Sequence, residues 1–312
     1  MNKLYLIAFL FTTLSTTAQY FSGEFLYKTT IVPKTNTVDV DSIVDSNYGD
    51  ISSYLITEHY YKSTSFKNDQ QTYSYTYHGD TKRMYDDYPE KEYITFRDSR
   101  KANYEYEEPI IYRDSTATIL GYDTFMVAHP STYGTTKSYY SNDLRVHYET
   151  FKEHAVGNWY NKLKTVNGSI PLKSITEFEE HTEIREVIKI TAREVKSSEF
   201  DLPALKPLVA SYWALDIQPS IPPQTEDAIA CFASKMKEAS QVLDPTESRR
   251  LIFTAIVNTN GTLSHITPYE KDALGLYLHG VDLLENCGLK FSPGEIDGTP
   301  VTSEIYFPLD IE

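Results

Sequence analysis

Basic residues are in short supply: 29 Lys and Arg stand against 44 Asp and Glu, a net charge of −15. That balance excludes the basic footprint a nucleic-acid partner needs, while identifying no ligand by itself. Cysteine is nearly absent, with only Cys231 and Cys287 in 312 residues, so an oxidising compartment permits one disulfide at most. After Leu14 no apolar run approaches the roughly 18 residues of a membrane-spanning helix. Motifs for catalysis are missing too: no His-Glu-x-x-His, Gly-x-Ser-x-Gly, phosphate-binding loop or dinucleotide fingerprint occurs.

The residue types that carry chemistry are present but scattered. The histidines at 59, 78, 129, 147, 154, 181, 265 and 279 fall in no metal-ligand spacing and read as surface or turn residues. Asp39, Asp41, Asp45, Asn47 and Asp50 surround Gly49, yet counting twelve from Asp45 places Asp50 and Ile56 where a calcium loop needs Gly and Glu. A solvated acidic loop is the expectation there. Ser234 and Lys237 satisfy Ser-x-x-Lys without the Ser-Asp-Asn and Lys-Thr-Gly elements that penicillin-binding chemistry requires. No catalytic residue, metal site or cofactor is expected, and the chain reads as a non-enzyme.

The N-terminus carries an address. Lys3 precedes the apolar stretch Leu4–Leu14, and Ser15-Thr16-Thr17-Ala18 supplies small residues for cleavage between Ala18 and Gln19. Residues 1–18 are read as a secretory signal peptide, and no Cys follows to take a lipid anchor. The mature chain is expected to be exported and soluble, in the periplasm or outside the cell.

Residues 19–202 are rich in Tyr and Thr, with 19 of the 26 tyrosines between Tyr48 and Tyr160. Tyr suits pleated strands, and its ring also lines ligand grooves. Period-two alternation predicts strands over 21–32, 54–65, 72–78, 92–96, 117–128, 170–178 and 184–195. In the last of these, Ile184, Ile188, Ile190 and Ala192 share one face, opposite Arg185, Val187, Lys189 and Arg193. A large antiparallel curved sheet or open barrel is expected. Gly23-Glu24-Phe25-Leu26-Tyr27, Ile119-Leu120-Gly121-Tyr122, Trp159-Tyr160, Gly168-Ser169-Ile170-Pro171-Leu172 and Phe200-Asp201-Leu202-Pro203 together resemble secreted GLPGLI-type proteins. The resemblance implies a LolA-like fold, whose curved sheet in lipoprotein carriers holds acyl chains.

Residues 203–224 contain Pro203, Pro207, Pro219, Pro222 and Pro223 and read as a Pro-rich linker, with a boundary near Asp216. Val209–Leu215 is too apolar for a free spacer and is expected to dock on a neighbouring unit.

Residues 225–312 have sharper local logic. Thr225 caps a helix over 226–242, and Leu251–Val257 is a strand apolar on both faces. Asn258-Thr259-Asn260-Gly261 turns it into a second strand over 263–266. Leu274, Tyr277, Leu278, Val281 and Leu284 mark a second helix ended by Gly288. Val301, Ser303, Ile305, Phe307 and Leu309 then alternate in a final strand. This order, with Phe291-Ser292-Pro293-Gly294 and Gly298-Thr299-Pro300-Val301, resembles the TonB C-terminal domain in its Bacteroidota-type form. The resemblance implies a small α+β binding module. Val301, Ser303, Ile305 and Phe307 are its candidate partner-binding residues, if the final strand forms a sheet edge to which a partner strand adds. Cys231 and Cys287 lie on or beside the two helices, as a disulfide or as two buried thiols.

The expected class is α+β: a LolA-like antiparallel sheet followed by a TonB-like domain. The expected role is an exported binding module engaging an envelope protein or a second copy of itself. The alternative is a carrier of a hydrophobic ligand, in a cavity lined from Tyr54 to Ile190.

Overall fold

A computed structural model describes residues 20–101, 107–131, 134–242, 249–269 and 273–311. The segment expected as a signal peptide, with Ala18 and Gln19, lies outside the described residues. The elements in chain order are β1 (Gly23–Pro33), α1 (Val40–Ser46), β2 (Ile51–Ile56), β3 (Tyr60–Lys67), β4 (Gln70–His78), β5 (Arg83–Asp87) and β6 (Ile94–Asp98). There follow β7 (Ile110–Ile119), β8 (Tyr122–Ser131), β9 (Gly134–Arg145), α2 (Trp159–Thr165), β10 (Ser169–Glu177), β11 (His181–Ala192) and β12 (Leu208–Ala210). The rest are α3 (Glu226–Ser240), β13 (Arg249–Val257), β14 (Leu263–Pro268), α4 (Leu276–Asn286), β15 (Gly294–Ile296), β16 (Thr299–Val301) and β17 (Ser303–Ile311).

Fifteen strands form one large, open, curved sheet in the order β14-β13-β17-β12-β6-β5-β4-β3-β2-β1-β11-β10-β9-β8-β7, and β15-β16 is a separate ribbon. The fold is thus a β-rich α+β arrangement. Neighbours from β6 back to β1, and from β11 back to β7, are consecutive antiparallel strands, most joined by short turns, with α1 between β1 and β2 and α2 between β9 and β10. The exception is β12, which runs parallel to both β6 and β17. The Pro-rich segment expected as a spacer therefore supplies the strand that joins the two ends. Val209 and Ala210 are buried in that join, while Tyr212 and Trp213 stay exposed.

Several expected strands divide. The run 54–65 is the β2–β3 hairpin: the Thr57 N–H donates to Tyr60 O at 2.8 Å, and Thr57 Oγ1 accepts from the Tyr60 N–H at 3.2 Å. A Thr hydroxyl makes this turn, so the usual Gly or Pro signal is missing. The run 117–128 is the β7–β8 hairpin, reversed at Leu120 (φ 48) and Gly121 (φ 85). Two successive positive φ values are what a two-residue type I′ turn requires. The acidic stretch expected as a loop contains α1, whose N-cap Asp39 accepts from the Ser42 N–H at 3.1 Å. Strands β5 and β9 and helix α2 lie outside the predicted elements.

A bulge corrects the face assignment of β11. Leu26 pairs with Lys189 but Tyr27 with Val187, so Ile188 is an extra residue on its strand. Val187 is buried, Ile188 is exposed, and the Arg185 guanidinium lies 4.0 Å from the Tyr27 ring centroid. Arg185 and Val187 therefore face inward, opposite to strict alternation.

The main core fills the sheet between β1 and β10: Phe25, Tyr54, Tyr77, Phe151, Leu163 and Leu172 are all buried together. A second core lies where α3 and α4 cover β13 and β17, around Phe253, Leu276, Leu283 and Ile311. Thr225 caps α3 by accepting from the Ala228 N–H at 3.2 Å. Cys231 and Cys287 are joined in a disulfide, Cα to Cα 5.4 Å, which ties α3 to the end of α4.

Candidate functional site

Asn158, in the left-handed region at φ 51, turns the chain from a short 3-10 turn into α2. Asn tolerates that conformation better than most residues. One side of α2 buries Leu163, and Val166 just beyond it packs with Phe125, Val127 and Tyr140. The same side, through Trp159, Lys162 and Leu163, roofs a cavity of about 390 Å³ over β8, β9 and β10.

The cavity wall is mixed. Trp159, Leu163, Val166 and Tyr140 give it an apolar side. Among them, Ser138 and Ser174 share a 2.9 Å hydrogen bond, and His129 Nε2 lies 2.9 Å from Tyr140 Oη. Ser169 Oγ and Trp159 Nε1 are buried with no hydrogen-bond partner among the described residues. Such orphaned groups are uncommon in folded proteins, because each forfeits its hydration without replacement.

Two nitrogen bases face the same space. Lys162 forms no ion pair with a described residue, and burial pulls its ammonium below the ordinary lysine range. Burial, helped by the nearby Lys162 charge, draws His129 down to about 4. The imidazole is therefore neutral at neutral pH. Lys162 is left as a desolvated cation whose charged form an anion would stabilise.

The interior of the sheet from Tyr54 to Ile190, expected as the ligand space, is occupied by the main core. The open volume sits instead toward β8–β10, under α2. One expected surface histidine belongs to the core as well: His154 is fully enclosed, with Nε2 2.5 Å from Tyr61 Oη. Its burial is a tertiary event, and nothing in its sequence neighbours signals it.

The candidate residues of the final strand are divided between two elements. Val301 belongs to β16 and pairs with Gly294. Ser303 begins β17, pairing with Val257 on one side and Ala210 on the other. Ile305 and Phe307 point to the helix-covered side, with Ile305 buried among Ala255, Val257 and Phe291. Strand β17 pairs with β13 along its full length and lies inside the strand order; the outer strands are β14 and β7. No group of three or more His, Cys, Asp or Glu among the described residues is placed to hold a metal. None of the described helices is long and apolar enough to cross a membrane.

No protein-family model matches the chain, and no curated protein is significantly similar to it. Among solved structures it is similar to PNGF-II, with a TM-score of 0.36 and 10% identity over 93% of this chain and 60% of that one. It is also similar to the lipoprotein LppX of Mycobacterium tuberculosis, with a TM-score of 0.27 and 8% identity over 58% of this chain and 90% of that one. The chain thus spans about 60% of the length of PNGF-II. Both scores are low.

Proposed function

We propose that the chain is an exported, non-catalytic binding protein of the cell envelope. In this reading the cavity beneath α2 takes a small amphipathic ligand with an acidic head group. The observation that carries it is Lys162, a desolvated cation that makes no ion pair among the described residues, facing a cavity with an apolar wall whose lining also includes the Glu107 carboxylate. The volume of about 390 Å³ is within the range of small-molecule sites. Ser169 Oγ and the Trp159 N–H offer hydrogen bonds to the head group, and Tyr140, Leu163 and Val166 receive the apolar part. The enclosed core beside the cavity favours a compact ligand over a long acyl chain. Calorimetric titration of the purified chain with octanoate tests this. Binding that weakens about tenfold to a hundredfold in Lys162→Met, the worth of one charge-assisted hydrogen bond, supports the reading. Absence of binding, or equal binding by Lys162→Met, removes it.

A second reading keeps residues 225–312 as a TonB-like module that engages a protein. The outer strand β14 favours it, since that strand leaves one backbone edge of the C-terminal sheet without a neighbouring strand. Sedimentation of the purified chain across a concentration series tests pairing with a second copy; a monomer at every concentration removes self-association.

A further inference from the structure

Where β12 joins the two ends of the sheet, a cleft forms that neither end has alone. Two adjoining hollows of about 220 and 670 Å³ share Tyr88, Lys91 and Tyr306 in their walls. Strands β4, β5 and β6 supply Tyr73, Asp86 and Arg97; the connector supplies Ser211 and Trp213; β17 supplies Glu304 and Tyr306.

The floor is polar. Glu304, buried although it lies on the face of β17 away from the helices, accepts from Lys91 Nζ at 2.7 Å and from the Tyr93 hydroxyl at 2.8 Å. Asp86 accepts from the Tyr73 hydroxyl at 2.5 Å and lies 4.0 Å from Arg97 Nε. Burial holds the Asp86 carboxyl above its ordinary range, against the pull of Arg97 and the Tyr73 hydrogen bond. Two groups on this floor are unspent. Ser211 is only 7% exposed, and neither its Oγ nor Arg97 Nε has a hydrogen-bond partner among the described residues. The rim is aromatic: the Tyr48, Tyr73 and Tyr88 rings cluster with centroids 4.6 Å (Tyr48 to Tyr73) and 4.8 Å (Tyr73 to Tyr88) apart. Trp213 and Tyr306 stand beside them, 58% and 49% exposed.

Charge decides the ligand class. In the smaller hollow Asp86 and Glu304 are matched by Lys91 and Arg97, so its floor has no surplus charge with which to select an ion, and Glu90 and Glu92 in the wall of the larger hollow disfavour anions. What remains is a set of oriented donors and acceptors at depth and exposed ring faces at the rim. Neutral polyhydroxyl molecules have that complementary character, with hydroxyls around the edge and apolar C–H faces that stack on rings. We infer that this cleft is a saccharide-binding site, assembled only when the C-terminal strand β17 docks on the N-terminal sheet.

Binding of the labelled full chain to an array of neutral and acidic glycans, followed by calorimetry with the strongest neutral glycan, tests the inference. The expected result is retention of at least one neutral glycan, with affinity reduced about tenfold in Trp213→Ala and in Tyr306→Ala. The substitution Leu205→Ala, at a residue exposed far more than either, leaves it unchanged. Both ring substitutions fall at partly exposed positions, and circular dichroism of each variant confirms that it remains folded. Retention of no neutral glycan, retention of acidic glycans only, or affinity that survives both ring substitutions overturns the inference.

Discussion

The Lys91 ammonium lies 2.7 Å from Oε1 of Glu304, a carboxylate 213 positions further along the chain. The side chains of Lys91 and Glu304 are 26% and 6% exposed, so the pair is largely withdrawn from water. It connects the segment between β5 and β6 to the last strand and helps hold the two ends of the sheet together.

Removing one partner strands the other. Glu304→Ala leaves Lys91 and the Tyr93 hydroxyl without their shared acceptor, a loss of about 3 kcal/mol on the scale of broken buried pairs. Urea denaturation of Glu304→Ala, Lys91→Ala and the double variant measures it. The double variant is expected to lose less than the sum of the singles; strict additivity would show that the two groups are not coupled.

The Cys231–Cys287 disulfide spans a sequence separation of 56. Closing a loop of that length restricts the unfolded chain by about 4 kcal/mol. Cys231→Ser with Cys287→Ser is expected to lower the thermal midpoint, and a reductant is expected to do the same to the parent protein. A midpoint indifferent to reductant would contradict the bond.

Helix α4 approaches β13 at Gly280, where an added Cβ would meet the enclosed ring of Phe253. Alanine regains about 1 kcal/mol of helix propensity. Over-packing a full core costs about 1–3 kcal/mol, so Gly280→Ala is expected to destabilise by about 1 kcal/mol net. Gly280→Val is expected to lose more. A gain in stability for Gly280→Ala would mean that Phe253 has room to move.

Burial pulls His154 from 6.5 to about 4 in the folded chain. As pH falls, the unfolded state takes its proton first, so stability drops between about pH 6.5 and 4 and the contribution is complete only above that window. The loss attributable to His154 is about 3 kcal/mol. Denaturant titrations at a series of pH values check it, with the pH slope of His154→Gln expected to be shallower through the window. His129 titrates in the same direction, so the slope is reduced without vanishing.

Legibility in the sequence tracked how local the cause was. The capped helix at Thr225, the strand of β13, its Asn-Gly turn and the amphipathic α4 were readable because period and turn chemistry lie within a few residues. The β2–β3 hairpin was not, since Thr57 makes its turn with a hydroxyl, and the β11 bulge at Ile188 shifts a face by one residue that alternation cannot anticipate. The cavity under α2 was unreadable for a similar reason: Trp159 and Lys162 meet His129 and Tyr140 only once the helix lies across β8 and β9.

By itself the sequence determined a β-rich chain with a helix-and-strand C-terminal segment, short of basic charge and of catalytic motifs. Alternation, caps and composition act over short spans and leave their mark in order along the chain. Only the tertiary structure decided that a proline-rich segment becomes β12, that the two ends share one sheet, and that Glu304 is buried against Lys91. Those outcomes depend on which surfaces meet across hundreds of residues, and desolvation and pairing energies act on groups only after they have been brought together.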